Sequence, residues 1–118
     1  MKKEYRIKKS NEIQSLMKNK RSVGNGYFVV YHQKNHENKH FRFAISVPKK
    51  FGIAVKRNLM KRRIREIIKD LQIKDEMNFF IIAKIKSKDL NFIDIKKEIT
   101  QLLNKAKILK DGIYEKQE

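Results

Sequence analysis

Apolar residues recur along this chain with two periods, and the changes of period mark its elements. Between residues 11 and 19, Ile13, Leu16 and Met17 fall on one side of a helix, and Ser10 offers a cap for it. Gly24, Asn25 and Gly26 predict a turn. Residues 27–32 are aromatic and β-branched and read as a strand. The polar residues 33–40 have no period and predict a loop. Residues 41–47 alternate strictly, with Phe41, Phe43, Ile45 and Val47 on one face and Arg42, Ala44 and Ser46 on the other. Two strands around a polar loop predict an antiparallel hairpin.

Pro48 ends the second strand, and residues 49–53 connect it to a helix over 54–71. Met60, Ile64, Ile67, Ile68 and Leu71 form one apolar arc of that helix. Residues 77–84 read as a buried strand. Asn91, with Asp94 three residues on, caps a last helix whose stripe is Phe92, Ile95, Ile99, Leu102, Leu103 and Ala106. The chain after Leu109 is expected to fray. The order is helix, strands, helix, strand, helix, which suits a sheet of about four strands with helices packed on it. The strand–helix–strand unit over 41–84 requires parallel strands. No repeat and no linker divides the sequence, so residues 1–118 are expected to form a single domain, ordered over about 5–109.

The composition changes the picture. Of 118 residues, 40% are hydrophobic, enough for a core and more than a disordered polycation would carry. The absence of Cys excludes disulfides, thiolate metal sites and Cys nucleophiles and is compatible with a cytoplasmic location. The longest apolar run, residues 79–83, is far short of the roughly 20 residues a membrane-spanning helix needs. The first residues lack the apolar stretch of a signal peptide. No membrane partner is expected.

The formal net charge is +17, and it is uneven. Residues 49–69 carry nine basic side chains and one acid, whereas residues 70–118 are nearly neutral. On a helical wheel Arg57, Lys61, Arg65, Asn58, Lys69 and Arg62 share an arc of about 140° beside the apolar arc. A solvated helix face mixes signs, because like charges four residues apart repel. This arc holds no acid. Arginine can donate two parallel hydrogen bonds to a phosphate, and Asn58 can pair with a base or a 2′-hydroxyl. A nucleic-acid surface is the expectation.

The stretch FRFAISVPKKFGIAVKRNLMKRRIRE resembles the signature of the bacterial ribonuclease P protein subunit. The matching residues are Lys49, Lys50, Gly52, Ala54, Val55, Arg57, Asn58, Lys61, Arg62, Ile64 and Arg65. Arg6 to Lys9 before the first helix and Ile81 to Ala83 in the late strand fit as well. The resemblance covers about residues 5–105. It implies an α+β fold, with a four-stranded mixed sheet, three helices and a left-handed βαβ crossover. It implies a subunit of the holoenzyme that removes the 5′ leader from precursor tRNA. Catalysis would belong to the RNA subunit and its Mg²⁺, with no catalytic or metal-binding residue on the protein and no small-molecule substrate. The partners implied are ribonuclease P RNA and precursor tRNA. By the resemblance, Lys49, Lys50, Arg57, Asn58, Lys61, Arg62, Arg65 and Lys69 face the RNA subunit and the cleavage site. By the same resemblance, Ile13, Met17, Lys18, Phe28 and Tyr31 line a cleft for the single-stranded leader; read from the residues alone, Ile13, Met17 and Phe28 fit plain core packing, and Tyr31 suits either a core edge or a base platform. Ile13 and Met17 stand where the family often has aromatic residues. Ala44, Pro48 and Ile53 replace its commoner Gly, Ser and Asn, and Pro48 removes a backbone donor beside the signature turn.

Other chemistry is weaker. His32, His36 and His40 recur every fourth residue, but in a segment that makes a poor helix. Glu66 and Asp70 lie away from the basic arc and suit a solvated face. Two rival readings are a structural RNA-binding protein without a role in cleavage and a helix-turn-helix DNA binder. The fixed Lys-Lys-x-Gly turn before the Arg-Asn helix argues against the first. Flanking strands, with no second helix just before the basic one, argue against the second.

Overall fold

The computed structural model describes residues 3–110. Three α-helices and four strands form in the order α1 (Ser10–Lys18), β1 (Ser22–Gly24), β2 (Phe28–Lys34), β3 (Arg42–Ser46), α2 (Ala54–Lys69), β4 (Met77–Ala83) and α3 (Phe92–Lys105). Short 3-10 turns at Lys3–Tyr5, Lys49–Phe51 and Ile85–Asp89 join them.

The sheet runs β1-β2-β4-β3. β4 lies between β2, to which it is antiparallel, and β3, to which it is parallel. The expected hairpin of residues 27–32 with 41–47 therefore does not form. β4 has the longest apolar run, with Met77, Phe79, Phe80, Ile81 and Ala83 all buried. Burying it on both faces favours a central position, and β3 joins as its parallel neighbour through the α2 crossover. The partner that β2 takes on its other side is β1, a strand the sequence pattern did not predict. Three residues are too few to show a period. The Gly24–Gly26 turn is the bend between these two strands, where the Asn25 side chain accepts from the Tyr27 and Phe28 amides at 2.8 and 2.9 Å.

Alternation sorts the strand residues between two layers. Phe28, Val30, Phe43, Val47, Met77, Phe79, Ile81 and Ala83 face the main core under α2 and α3. From α2, Met60, Ile64, Ile67 and Ile68 enter that core, and Ile95, Ile99, Leu102 and Leu103 enter it from α3. On the other face a smaller cluster joins Ala44 and Phe80 to Leu16 of α1 and to Ile7, with Ile13, Tyr31 and Ile82 packed against it. Removing a side chain such as Ile64, fully buried here, costs about 2–5 kcal/mol.

Several local expectations change. Ser10 is the first residue of α1 rather than its cap, and Lys9 at the cap position provides no side-chain bond. Helix α2 ends at Lys69, although Leu71 beyond it is still buried. Phe92, expected in the core, is 40% exposed as the first residue of α3, and the buried stripe begins at Ile95. The Asn91 cap forms as expected, accepting from the Asp94 amide at 2.8 Å. The fraying expected after Leu109 concerns mainly residues 111–118, which lie outside the described residues.

Candidate nucleic-acid interface

The geometry of the basic helix is set just before it begins. Pro48 leaves β3 and its carbonyl accepts from the Phe51 amide at 2.9 Å, closing the Lys49–Phe51 turn. The missing proline N–H is thus not needed there, and only its acceptor is used. Gly52 follows with φ 157° and ψ −170°, a region open essentially to glycine alone. This extended kink points the Gly52 carbonyl at the next turn of α2, where Arg57 Nε donates to it at 3.1 Å. Lys49 and Lys50 stay exposed on the turn.

Along α2 the basic arc is exposed to different depths. Asn58, Arg62 and Lys69 are exposed, whereas Arg57, Lys61 and Arg65 are half-buried. Asn58, Arg62 and Arg65 line an outer hollow of about 540 Å³ with Val55 and Leu59. A smaller hollow of about 220 Å³ opens on the other side of Arg65. Its cations are Lys61 and Arg65 from α2 and Arg6 and Lys8 from the N-terminal segment, set over Ile13, Phe43, Ala44 and Ile45. Among the described residues no carboxylate lines either hollow.

The smaller hollow is electrostatically unbalanced. Arg65 is held below its ordinary pKa, first by burial and then by the charge of Arg6. Among the described residues, Arg6 Nε is buried with no hydrogen-bond partner. A buried donor without an acceptor is costly, and two neighbouring guanidinium groups repel. An anion seated between them would remove both penalties, and bidentate donation suits a phosphate.

Arg6 and Lys8 were not among the residues expected to bind. Their charge was visible in the sequence, but their position was not. It follows from an isolated parallel bridge of Arg6 to Phe43, with the Ile7 amide donating to the Phe43 carbonyl at 2.8 Å. That pairing lays the segment along β3, beside α2.

The cleft between α1 and the sheet begins where this hollow ends. Ile7 lines both, Ile13 lines the hollow, and Tyr31 lies half-buried on the same sheet face. Met17 and Lys18 are exposed on α1, Met17 by 43%. Phe28 does not belong here. It is 0% exposed and lies in the main core, because it precedes Tyr31 by three residues and so points to the opposite face. A polar recess of about 490 Å³, with Ser15, Gln33, Asn35 and Asn78, continues the cleft. There Glu12 on α1 accepts from Arg42 on β3 at 2.7 Å, tying the helix to the sheet.

The remaining candidates are dispersed. His36 pairs with Glu76 at 3.2 Å, His40 lies against the Phe41 carbonyl at 2.8 Å, and His32 is on β2. Glu66 and Asp70 are exposed, and Asp70 caps the end of α2.

Comparison with known proteins is consistent throughout. The ribonuclease P family model matches residues 1–107. The ribonuclease P protein component of Acholeplasma laidlawii is 47% identical over 111 residues, which are 92% of this chain and 95% of that one. That of Macrococcus caseolyticus is 46% identical over 110 residues, 91% of this chain and 94% of its own. The solved ribonuclease P protein of Staphylococcus aureus superposes with a TM-score of 0.81 at 39% identity, covering 90% of this chain and 98% of that one.

Proposed function

The chain belongs to the ribonuclease P protein family, and from that premise we propose how its surfaces are used. Members are protein components of the holoenzyme that processes tRNA, acting with ribonuclease P RNA and precursor tRNA. The basic arc of α2, with Lys49 and Lys50, faces the RNA subunit near the cleavage site. The cleft of Ile13, Met17, Lys18 and Tyr31 takes the single-stranded 5′ leader. Arg6, Lys8, Lys61 and Arg65 join the two surfaces and hold a phosphate where leader and RNA subunit converge.

The observation that carries this reading is the carboxylate-free hollow with its unpartnered Arg6 donor. The surface neutralises phosphates and releases counterions, which brings RNA strands together at physiological salt. Ile13 and Met17 give the leader an apolar bed with less stacking than aromatic rings would provide, leaving Tyr31 as the main platform. The residues lining these hollows are cations, an amide and apolar groups, which do not fit a Mg²⁺ ion. We assign the metal to the RNA. Among the described residues no helix is long and apolar enough to cross a membrane, and we place the protein with its RNA in the cytoplasm.

The test is precursor-tRNA cleavage at low Mg²⁺ with a compatible ribonuclease P RNA. Cleavage at the mature 5′ end is expected only when RNA and protein are both present. Equal cleavage without the protein, or cleavage by the protein alone, would overturn the assignment.

A further inference from the structure

The sheet edge opposite β3 carries a second concentration of positive charge. A cavity of about 380 Å³ opens where β1 and β2 meet the C-terminal end of α3. Arg21, His32, Lys34, Lys105 and Lys107 line it over an apolar floor. No Asp or Glu is among the lining residues, and among the described residues none of the four cations has an ion-pair partner. Lys105 and Lys107 complement the C-terminal end of the α3 dipole. That accounts for two of the charges. Arg21 and Lys34 come from other elements and are brought beside them only by the fold.

The backbone adds an independent observation. Lys107 has φ 60° and follows the last turn of α3, where the Ile108 amide returns to the Leu103 carbonyl at 3.0 Å. Lys20, next to Arg21, has φ 60° after α1. Both are positions where glycine carries no steric penalty and a lysine does. Strain of this kind persists where the side chain has a use. At both positions the residue is a cation; Lys107 lines the cavity, and Lys20 directly precedes Arg21, which lines it too.

We propose that this cavity is a second phosphate-binding site, for the backbone of an RNA strand other than the one on α2. The proposal rests on the RNA partnership of the family. With the α2 surface on the β3 side and this site on the β1 side, the protein would grip two RNA segments across the width of its sheet. The site would hold one phosphate among four cations, with His32 as a hydrogen-bonding group in its wall. Free inorganic phosphate offers the same chemistry, so the two sources must be separated.

Equilibrium binding of the full chain to ribonuclease P RNA, measured across monovalent salt, provides the test. The variants are Lys107→Gly, the double variant Lys34→Ala with Lys105→Ala, and Arg65→Ala as a control on the α2 surface. Lys107→Gly is expected to raise the melting temperature and yet weaken RNA binding, a combination that a purely structural lysine would not give. In each weakened variant the salt slope should become shallower by roughly one for each phosphate no longer neutralised. If Arg65→Ala weakens binding while the other variants keep affinity and slope, this proposal fails and the α2 reading stands. If the unaltered chain does not bind the RNA, both fail. A sulfate titration followed by amide NMR shifts at Arg21 and residues 105–107 separates the sources. Sulfate-induced shifts together with unchanged RNA affinity would show a free-anion site and overturn the RNA assignment.

Discussion

At Ile53 the chain gives up a helix cap. This residue stands at the cap position of α2 with extended φ and ψ, is 67% exposed and makes no side-chain bond. The family's commoner Asn would offer an acceptor to the Val55 or Lys56 amide. Ile53→Asn is therefore expected to stabilise the protein by about 0.5–2 kcal/mol, read from its urea midpoint. His32 makes a different kind of prediction. Its pKa lies below the ordinary 6.5, first through burial and then through Arg21. The unfolded chain then binds the proton more readily than the folded one. Stability from this group is complete above the unfolded value and is lost as pH falls below it through the lowered folded value. His32→Gln should flatten the loss of stability that sets in as pH falls through the imidazole's ordinary 6.5, measured by thermal unfolding. Phe28 shows the limit of reading residues singly. Its aromatic character suited a base platform, but its parity relative to Tyr31 puts it in the core.

Helix α2 carries its apolar and basic residues on adjacent arcs, and its arginines differ in their surroundings. Arg57 is bound to the Gly52 carbonyl and helps fix the entry to the helix, whereas Arg65 is crowded by Arg6. Arg57→Ala should weaken RNA binding and also lower stability by about 0.5–1.5 kcal/mol, because a hydrogen bond disappears. Arg65→Ala should weaken RNA binding with stability unchanged or raised, because a repulsion is removed. Filter binding and thermal melts on the two variants check the contrast, and a melting loss confined to Arg65→Ala would contradict it. The apolar arc of this helix was legible because four large side chains, Met60, Ile64, Ile67 and Ile68, share one period, with Leu71 continuing it past the helix end. The parallel pairing of β3 with β4 was legible from the strand–helix–strand unit; the separation of β2 from β3 was not, because pairing among strands depends on which apolar strand becomes central. No local period encodes that.

Across the whole molecule, a net charge of +17 on 118 residues repels itself in the compact state. Monovalent salt should therefore raise the melting temperature even as it weakens RNA binding, since screening relieves the first interaction and competes with the second. Parallel melts and binding isotherms over one salt series would show the opposite slopes. The sequence by itself determined the helices with long apolar stripes, the three longer strands and the acid-free arc of α2. These rest on interactions between residues close in the chain, which periodicity records. Only the tertiary structure decided that β4 lies between β2 and β3, that β1 exists, and that the Phe28 face of β2 is the one turned to the main core. It alone brought Arg6 and Lys8 to Arg65, and Arg21 and Lys34 to the end of α3. Those placements depend on interactions between distant segments, whose register is set by burying both faces of one sheet at once.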